Sequence, residues 1–469
     1  MVKSLIGPSS SSGAPLRAYL EPVLRHSVWF GFFLVLAPIV GPRGYGVFIL
    51  ALCGIAIAEA LLAKTGSQAL IDLPVVEELH LSTALVTLIA AGGAMSLMLY
   101  AATGAIGAMV DEATLGDMFR SLALLPLLGT LAAVPRALLR REGRYLPFIV
   151  AGAVGPAAGG SAAVALAWAG AGPWSLVAQI IVQRFVECGL LWGMAGARIG
   201  VAWSRQHFVD LVGALDLRAL RAAWPRVSRY GPCLLVGVTL GPTAAGLYML
   251  ASRVAGALTA IFLARRASLA TAAVPEILQR TCSALLPAAV GSTLLAIALP
   301  PLIDLRWWGA VLPGQILLLG AVPASVIWLR AAYSENAADE ARWQTVRILG
   351  GVVIVALAVP YGLVAVAAAE IAWTAAVAIG SLWPIGRALG KRWRAALFAA
   401  ARPCGGALAA GLLLSALADP VGLRLDALPA FCLLTAGGWL CYLVIRGEPL
   451  GLELRGQDRA LSLANTPVA

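Results

Sequence analysis

Within the apolar run 174–197 stand Gln179, Gln183 and Glu187, spaced i, i+4, i+8, with Arg184 beside them. That spacing lines the three up on one helical stripe. A second run, 361–384, carries Glu370, Thr374 and Ser381 on one stripe. Three further charges sit in apolar surroundings: Glu59 in the run 44–63, Arg253 in 243–263 and Arg25 in 23–40. Ionisable groups within such runs are costly and mark substrate contacts, ion paths or cavities. An arginine fork suits the oxygens of a phosphate, whereas buried glutamates suit ion coupling. The spacing leaves two readings open. Arg184 and Glu187 are also i, i+3 partners that would neutralise each other, and Glu59 and Glu370 would also serve as protonated packing groups.

Composition identifies what must position these residues. The 469 residues are 60% hydrophobic and 12% charged, with a mean hydropathy of +0.88, far above soluble proteins. Apolar blocks long enough to cross a core of roughly 30 Å recur along the chain, and no alternating strand pattern is present. The expected fold is therefore all-α, a polytopic transmembrane bundle of fourteen spans at 23–40, 44–63, 81–104, 118–135, 146–169, 174–197, 226–240, 243–263, 284–304, 309–330, 346–360, 361–384, 395–417 and 425–445. The first residues, MVKSLIGPSSSSGAP, lack the apolar core of a cleavable signal and read as a disordered tail.

The net charge of +11 comes almost wholly from arginine. Because the arginines gather in alternate gaps, the charge speaks of orientation rather than nucleic acid. Arg136, Arg140, Arg141 and Arg144 lie in one such gap; Arg198, Arg205, Arg218, Arg221, Arg226 and Arg229 in another; Arg265, Arg266 and Arg280, then Arg387, Lys391, Arg392 and Arg394, in two more. The opposite gaps hold Asp111, Glu112, Asp117, Asp304 and Asp419. Both termini are expected in the cytoplasm. The gap 198–225 is a basic amphipathic linker at the headgroups. The seven cysteines lack C-x-x-C spacing, and His26, His80 and His207 show no partner spacing, so neither metal, disulfide nor cofactor is expected. GRALGK, from Gly386, lacks the spacing of a nucleotide-binding loop.

The chain repeats itself. IVGPRGYGVFILA at 39–51 returns as TLGPTAAGLYMLA at 239–251, matching Gly41-Pro42 to Gly241-Pro242 and Gly46 to Gly246. Likewise Pro173, Trp174 and Leu176-Val177-Ala178 return as Pro360, Tyr361 and Leu363-Val364-Ala365, which sets Glu370 on Gln183. Two matches in the same order describe a duplication of six spans. Since six is even, both copies enter in the same direction, as two parallel lobes. The expected division is a tail 1–16, a first lobe 17–197, the linker 198–225, a second lobe 226–392, two extra spans in 393–446 and a tail 447–469. The seventh span, SRYGPCLLVGVTLGP, holds about a dozen apolar residues around Pro232, which reach only about 18 Å. It is expected either as a half-unwound helix or as a truncated one that impairs this copy.

The phrases GPRGYGVFILALCGIAIAEALLAKTGSQALI (41–71), ALLRREGRYLPFIVAGAVG (137–155), AGAGPWSLVAQ (169–179) and LGPTAAGLYMLASRV (240–254) resemble the polysaccharide flippases of the multidrug/oligosaccharidyl-lipid/polysaccharide exporter superfamily. The last two spans resemble those of the peptidoglycan-precursor branch. The resemblance implies a non-enzymatic flippase in the bacterial inner membrane, translocating a polyprenyl-pyrophosphate-linked saccharide by alternating access. Implied partners are membrane lipid and polysaccharide-assembly proteins, with no nucleic acid. Arg184, Arg253 and Arg25 would then grip the pyrophosphate beside Gln179 and Gln183, and Glu59, Glu187 and Glu370 would line the cavity or couple an ion. The competing readings are a drug or cation antiporter of the same superfamily and an impaired structural relative. A membrane glycosyltransferase would need a catalytic loop, and the external gaps are too short for one.

Overall fold

The structure, a computed structural model, describes residues 14–73, 76–104, 107, 112–196, 200–213, 224–264, 304–320, 323, 324, 327 and 337–389. The expected spans 395–417 and 425–445, nearly all of 284–304, and the C-terminal tail lie outside them. Among the described residues the chain is helical, with no strand. In order, α1 is Ala14–Asp72, α2 Glu78–Ala101, α3 Ala113–Leu122, α4 Leu125–Leu131, α5 Ala133–Arg141, α6 Leu146–Trp168, α7 Trp174–Ala195 and α8 Arg205–Gly213. Then come α9 Trp224–Leu240, α10 Pro242–Ala264, a 3-10 turn Leu305–Ala310, α11 Val311–Leu319, α12 Ala337–Ala358 and α13 Leu363–Leu389.

Seven of the described stretches are long and apolar enough to cross a membrane. Two of them, Phe30–Glu59 and Thr114–Arg141, are 67% and 72% buried, whereas the others are 17–33% buried. These two therefore form the centre of the bundle. The core around them includes Leu36, Ile49, Ile55, Phe119, Leu122 and Leu125.

The repeated phrases produce the same local event twice. Gly41 (φ 70°) breaks α1 into two arms, and Gly241 (φ 88°) separates α9 from α10. Each left-handed glycine is followed by a proline that opens the next helix, where a missing N–H costs nothing. The second match behaves less evenly. Gly172 (φ 53°) leads through Pro173 directly into α7, while Val359–Tyr361 forms a 3-10 turn and Gly362 (φ 96°) delays α13 to Leu363.

The two copies of the first phrase also pack against each other. A Cβ on Gly46 would strike the Pro242 carbonyl, and one on Gly246 would strike the Pro42 carbonyl. The contact is reciprocal, as a two-fold-like relation between the repeats requires. Replacing either glycine with leucine should destabilise the protein by about 1–3 kcal/mol or more, because the obstacle is backbone and cannot rotate away. Thermal melting of the detergent-solubilised protein would read this. An unchanged melting temperature for both variants would show that the interface relaxes without cost.

Two expectations change in detail. The span expected at 118–135 is α3, α4 and α5 in series. Pro126 and Pro135 each fall in the first turn of a short helix, so the prolines set new starts within one crossing. The seventh span is continuous rather than half-unwound, and it remains shorter than the roughly 30 Å core. α9 runs unbroken for 17 residues through Pro232, which at 1.5 Å per residue is about 26 Å. It starts two residues before the expected 226, at Trp224. α1 begins at Ala14, inside the expected tail, and α8 covers only part of the expected linker.

The arginines expected to set orientation also close helix ends. Arg141 Nη1 donates to the carbonyls of Leu70 (3.1 Å) and Leu73 (2.5 Å) at the end of α1. Arg144 donates to Met194 O at 2.8 Å, at the end of α7. Terminal carbonyls lack intrahelical donors and carry partial negative charge, so a cation there is favourable.

Candidate functional site

Helices α6 and α7 pack closely because α6 presents Gly155 and Gly159 to its neighbour. A Cβ at Gly155 would meet Glu187 Cγ at 2.5 Å, and one at Gly159 would meet Gln183 Cβ at 2.9 Å. The absence of these methyl groups seats the polar stripe of α7 inside the bundle. Gly189 and Gly193, with the same spacing, meet nothing within 4 Å and serve no such approach.

On that stripe Gln183 Nε2 donates to Glu187 Oε1 at 2.8 Å. Arg184 reaches Glu59 Oε2 at 3.4 Å through Nη2 and Glu187 Oε2 at 3.9 Å through Nη1. The pairing of Arg184 with Glu187 read from the sequence is thus present, but Glu59 from the second arm of α1 is the nearer partner. Glu59 is 4% exposed and lies over Gly129 of α4, where a side chain would displace it. Arg184 keeps 29% of its side chain exposed. Gln179, one turn earlier, is buried.

Two residues not expected here also face the cluster. Arg136 of α5 lies within electrostatic reach of Arg184, Glu187 and Glu59. Its position at the end of a basic gap made it look purely topological. Tyr230 of α9, from the second repeat, interacts electrostatically with Arg184. The cluster in contact is thus Arg184, Glu59, Glu187 and Gln183, with Arg136 and Tyr230 within electrostatic reach of it.

The remaining expected residues lie elsewhere. Glu370 of α13, half-buried, accepts a hydrogen bond from the hydroxyl of the buried Tyr248 on α10, forming a separate pair within the second repeat. Tyr248 stands where the first repeat has Phe48, so this pair has no counterpart there. Arg253 is half-buried on α10, within electrostatic reach of Tyr45 and Cys53 of α1. Arg25 belongs to the first arm of α1, and its side chain lies outside the described residues.

A second polar cluster corrects the expectation that the histidines stand alone. The rings of His80 and His207 lie 4.2 Å apart, joining the start of α2 to α8. Glu77, His80 and His207 offer ligand atoms within 4.8 Å of one another. The hydrogen bonds argue against a metal in this arrangement. His80 Nδ1 accepts the Glu77 N–H at 3.2 Å, so a neutral His80 carries its proton on Nε2, which faces Asp210 at 3.7 Å. His207 contacts Ser204 Oγ at 2.9 Å and Glu77 Oε2 at 3.3 Å, so both of its nitrogens are also engaged. The cluster reads as a clasp between α2 and α8.

Residues 35–281 match the family described as "Polysaccharide biosynthesis protein". No curated protein sequence matches. Among solved structures the chain is similar to the lipid II flippase MurJ in an inward closed conformation, with a TM-score of 0.65 at 13% identity, covering 92% of this chain and 97% of that one. It is also similar to a multidrug resistance MATE family transporter of the MOP superfamily. The inward-facing form gives 0.63 at 13% identity over 79% of this chain and 98% of that one. The outward-facing form gives 0.51 at 16% identity over 80% and 95%. At these identities the likeness is one of fold.

Proposed function

The chain belongs to the polysaccharide biosynthesis protein family, and from that premise we propose that it flips a polyprenyl-pyrophosphate-linked saccharide across the bacterial inner membrane. In this reading residues 17–197 and 226–392 act as two lobes that alternate access to a cavity between them. Both termini lie in the cytoplasm, lipid and polysaccharide-assembly proteins are the partners, and no covalent step is performed.

The observation that carries the reading is the set of loose contacts around Arg184. At 3.4 and 3.9 Å its guanidinium is bound to two carboxylates without short contact to either, and it retains solvent-accessible surface. A pyrophosphate oxygen can therefore approach the open side of the guanidinium as a further anionic partner while Glu59 stays paired. Arg136 supplies a second cation to the same cluster, and Gln183 a hydrogen-bond donor. Arg253 and Arg25 are further cations on inter-lobe helices, while Glu370 with Tyr248 is the candidate for coupling an ion or proton.

The antiporter reading rests on Glu59 and Glu187, which would hold a small organic cation if Arg184 swung away. The unbroken α9 weakens the reading of an impaired relative. Deleting the gene should abolish a surface or secreted polysaccharide while its lipid-linked unit accumulates on the cytoplasmic leaflet. Normal polysaccharide together with heightened sensitivity to cationic dyes would overturn flipping in favour of drug export.

A further inference from the structure

Proline at position 42 leaves a defect four residues upstream. In a helix the carbonyl of Pro38 would accept the N–H of residue 42, and Pro42 has none. The first arm of α1 therefore ends with an orphan acceptor at the turn around Gly41. That acceptor is satisfied from the other repeat: Arg306 Nη2 donates to Pro38 O at 2.7 Å.

Arg306 is held for this role. Asp304 accepts the Arg306 backbone N–H through Oδ1 at 3.0 Å, starting the 3-10 turn, and accepts Nε through Oδ2 at 2.7 Å, which aims the guanidinium at α1. The next residue, Trp307, is fully buried and donates Nε1–H to Ala37 O at 3.2 Å. Its ring meets Phe33 and Tyr45 edge-on at 5.4 and 5.5 Å, filling the angle between the two arms of α1. Gly41 is required here a second time, since a Cβ would lie 3.1 Å from Arg306 Nη1. The contact sits on the arginine-poor face, where Arg43 also meets Glu112.

We propose that Arg306 and Trp307 are the latch that closes the two repeats together on this face, and that it releases each time the cavity opens there. The proposal rests on the alternating-access reading above. It is strong enough to hold a closed state yet built of two hydrogen bonds to carbonyls that water can satisfy, so release leaves no buried group unpaired. The second repeat has its own orphan at Val238, because Pro242 likewise lacks an N–H.

The native cysteines supply the readout. Cys53 and Cys233, on α1 and α9, are fully buried and adjoin each other between the repeats. A thiol in such a place reacts only when that interface opens to water. Intact cells or spheroplasts would be treated with a membrane-impermeant maleimide, and alkylation of Cys53 followed by peptide mass spectrometry. Arg306→Ala should raise the Cys53 labelling rate at least about tenfold over wild type, and Arg306→Lys, which keeps a donor, should fall between them. If Arg306→Ala fails to accumulate, Trp307→Phe keeps an aromatic ring in place while removing the Nε1–H donor and part of the indole's volume, and should raise labelling by a smaller factor. Labelling unchanged in a normally abundant Arg306→Ala or Trp307→Phe protein would overturn the latch. The measurement contains no saccharide. Failure of the flippase reading would show instead as normal polysaccharide in the deletion strain, leaving the labelling result intact.

Discussion

Arg184→Gln alone is expected to reduce the amount of folded protein in the membrane sharply, before transport can be measured. Glu59 is almost wholly buried and Arg184 is its nearest cation, so the substitution strands a carboxylate. Breaking a buried pair in this way costs about 3–5 kcal/mol. The double variant Glu59→Gln with Arg184→Gln removes both charges and should recover most of the abundance. Its flipping rate should nevertheless fall by at least about 100-fold, because the cation that would meet the pyrophosphate is gone and charge-assisted contacts contribute about 1.5–3 kcal/mol each. Abundance would be read by quantitative immunoblot and flipping by the leaflet distribution of the lipid-linked unit. A double variant that is abundant and flips at the wild-type rate would reduce Arg184 to a packing ion pair. Exchanging Arg184 and Glu187, the test suggested by their i, i+3 spacing, is not clean in the folded protein. It would set a new carboxylate beside Glu59 and destabilise the bundle whatever the substrate.

The second large effect is expected at the Tyr248–Glu370 pair. Glu370→Gln retains an acceptor for the Tyr248 hydroxyl and nearly the same volume, so abundance should stay near wild type. If Glu370 carries a coupling ion or proton, the variant can no longer change charge. Transport should then drop by at least about tenfold, equivalent to about 1.4 kcal/mol, and lose its dependence on the ion gradient. Tyr248→Phe does the opposite: it leaves a half-buried carboxyl without its donor, a penalty of at most about 1–3 kcal/mol, and should lower abundance modestly. Measuring uptake into vesicles under imposed proton and sodium gradients distinguishes the two. Wild-type rates and gradient dependence in Glu370→Gln would assign the pair to packing.

Several features were legible from residues alone because their causes are local. Gly41-Pro42 and Gly241-Pro242, matched as one repeated phrase, make the same left-handed turn into a new helix in both places. The spans expected at 146–169 and 174–197 are α6 and α7 to within two residues at each end, since apolar length and flanking Gly-Pro or Tyr-Leu-Pro phrases bound them. Boundaries failed where the local signal was ambiguous. Pro126 and Pro135 restart helices within one crossing.

The candidate site was half legible. Its members on α7 follow from a stripe of polar residues, but Glu59 as the partner of Arg184 does not, nor do Arg136 and Tyr230. Sequence order says nothing about which helices are neighbours, and a helix apolar on every side has no hydrophobic stripe to fix which face it turns inward. His80 and His207 illustrate the same gap, 127 positions apart in the chain yet in ring contact.

What the sequence determined by itself is therefore the membrane class, the helical character and the Gly-Pro turns, each set by composition or by the backbone preferences of glycine and proline over a few residues. What only the tertiary structure decided is who meets whom: Gly46 with Pro242, Arg184 with Glu59, Tyr248 with Glu370, Arg306 with Pro38. Those contacts depend on the rotation and depth of each helix against the others. In an apolar medium that choice is made by close packing and by polar groups seeking partners, both of which exist only once the helices are together.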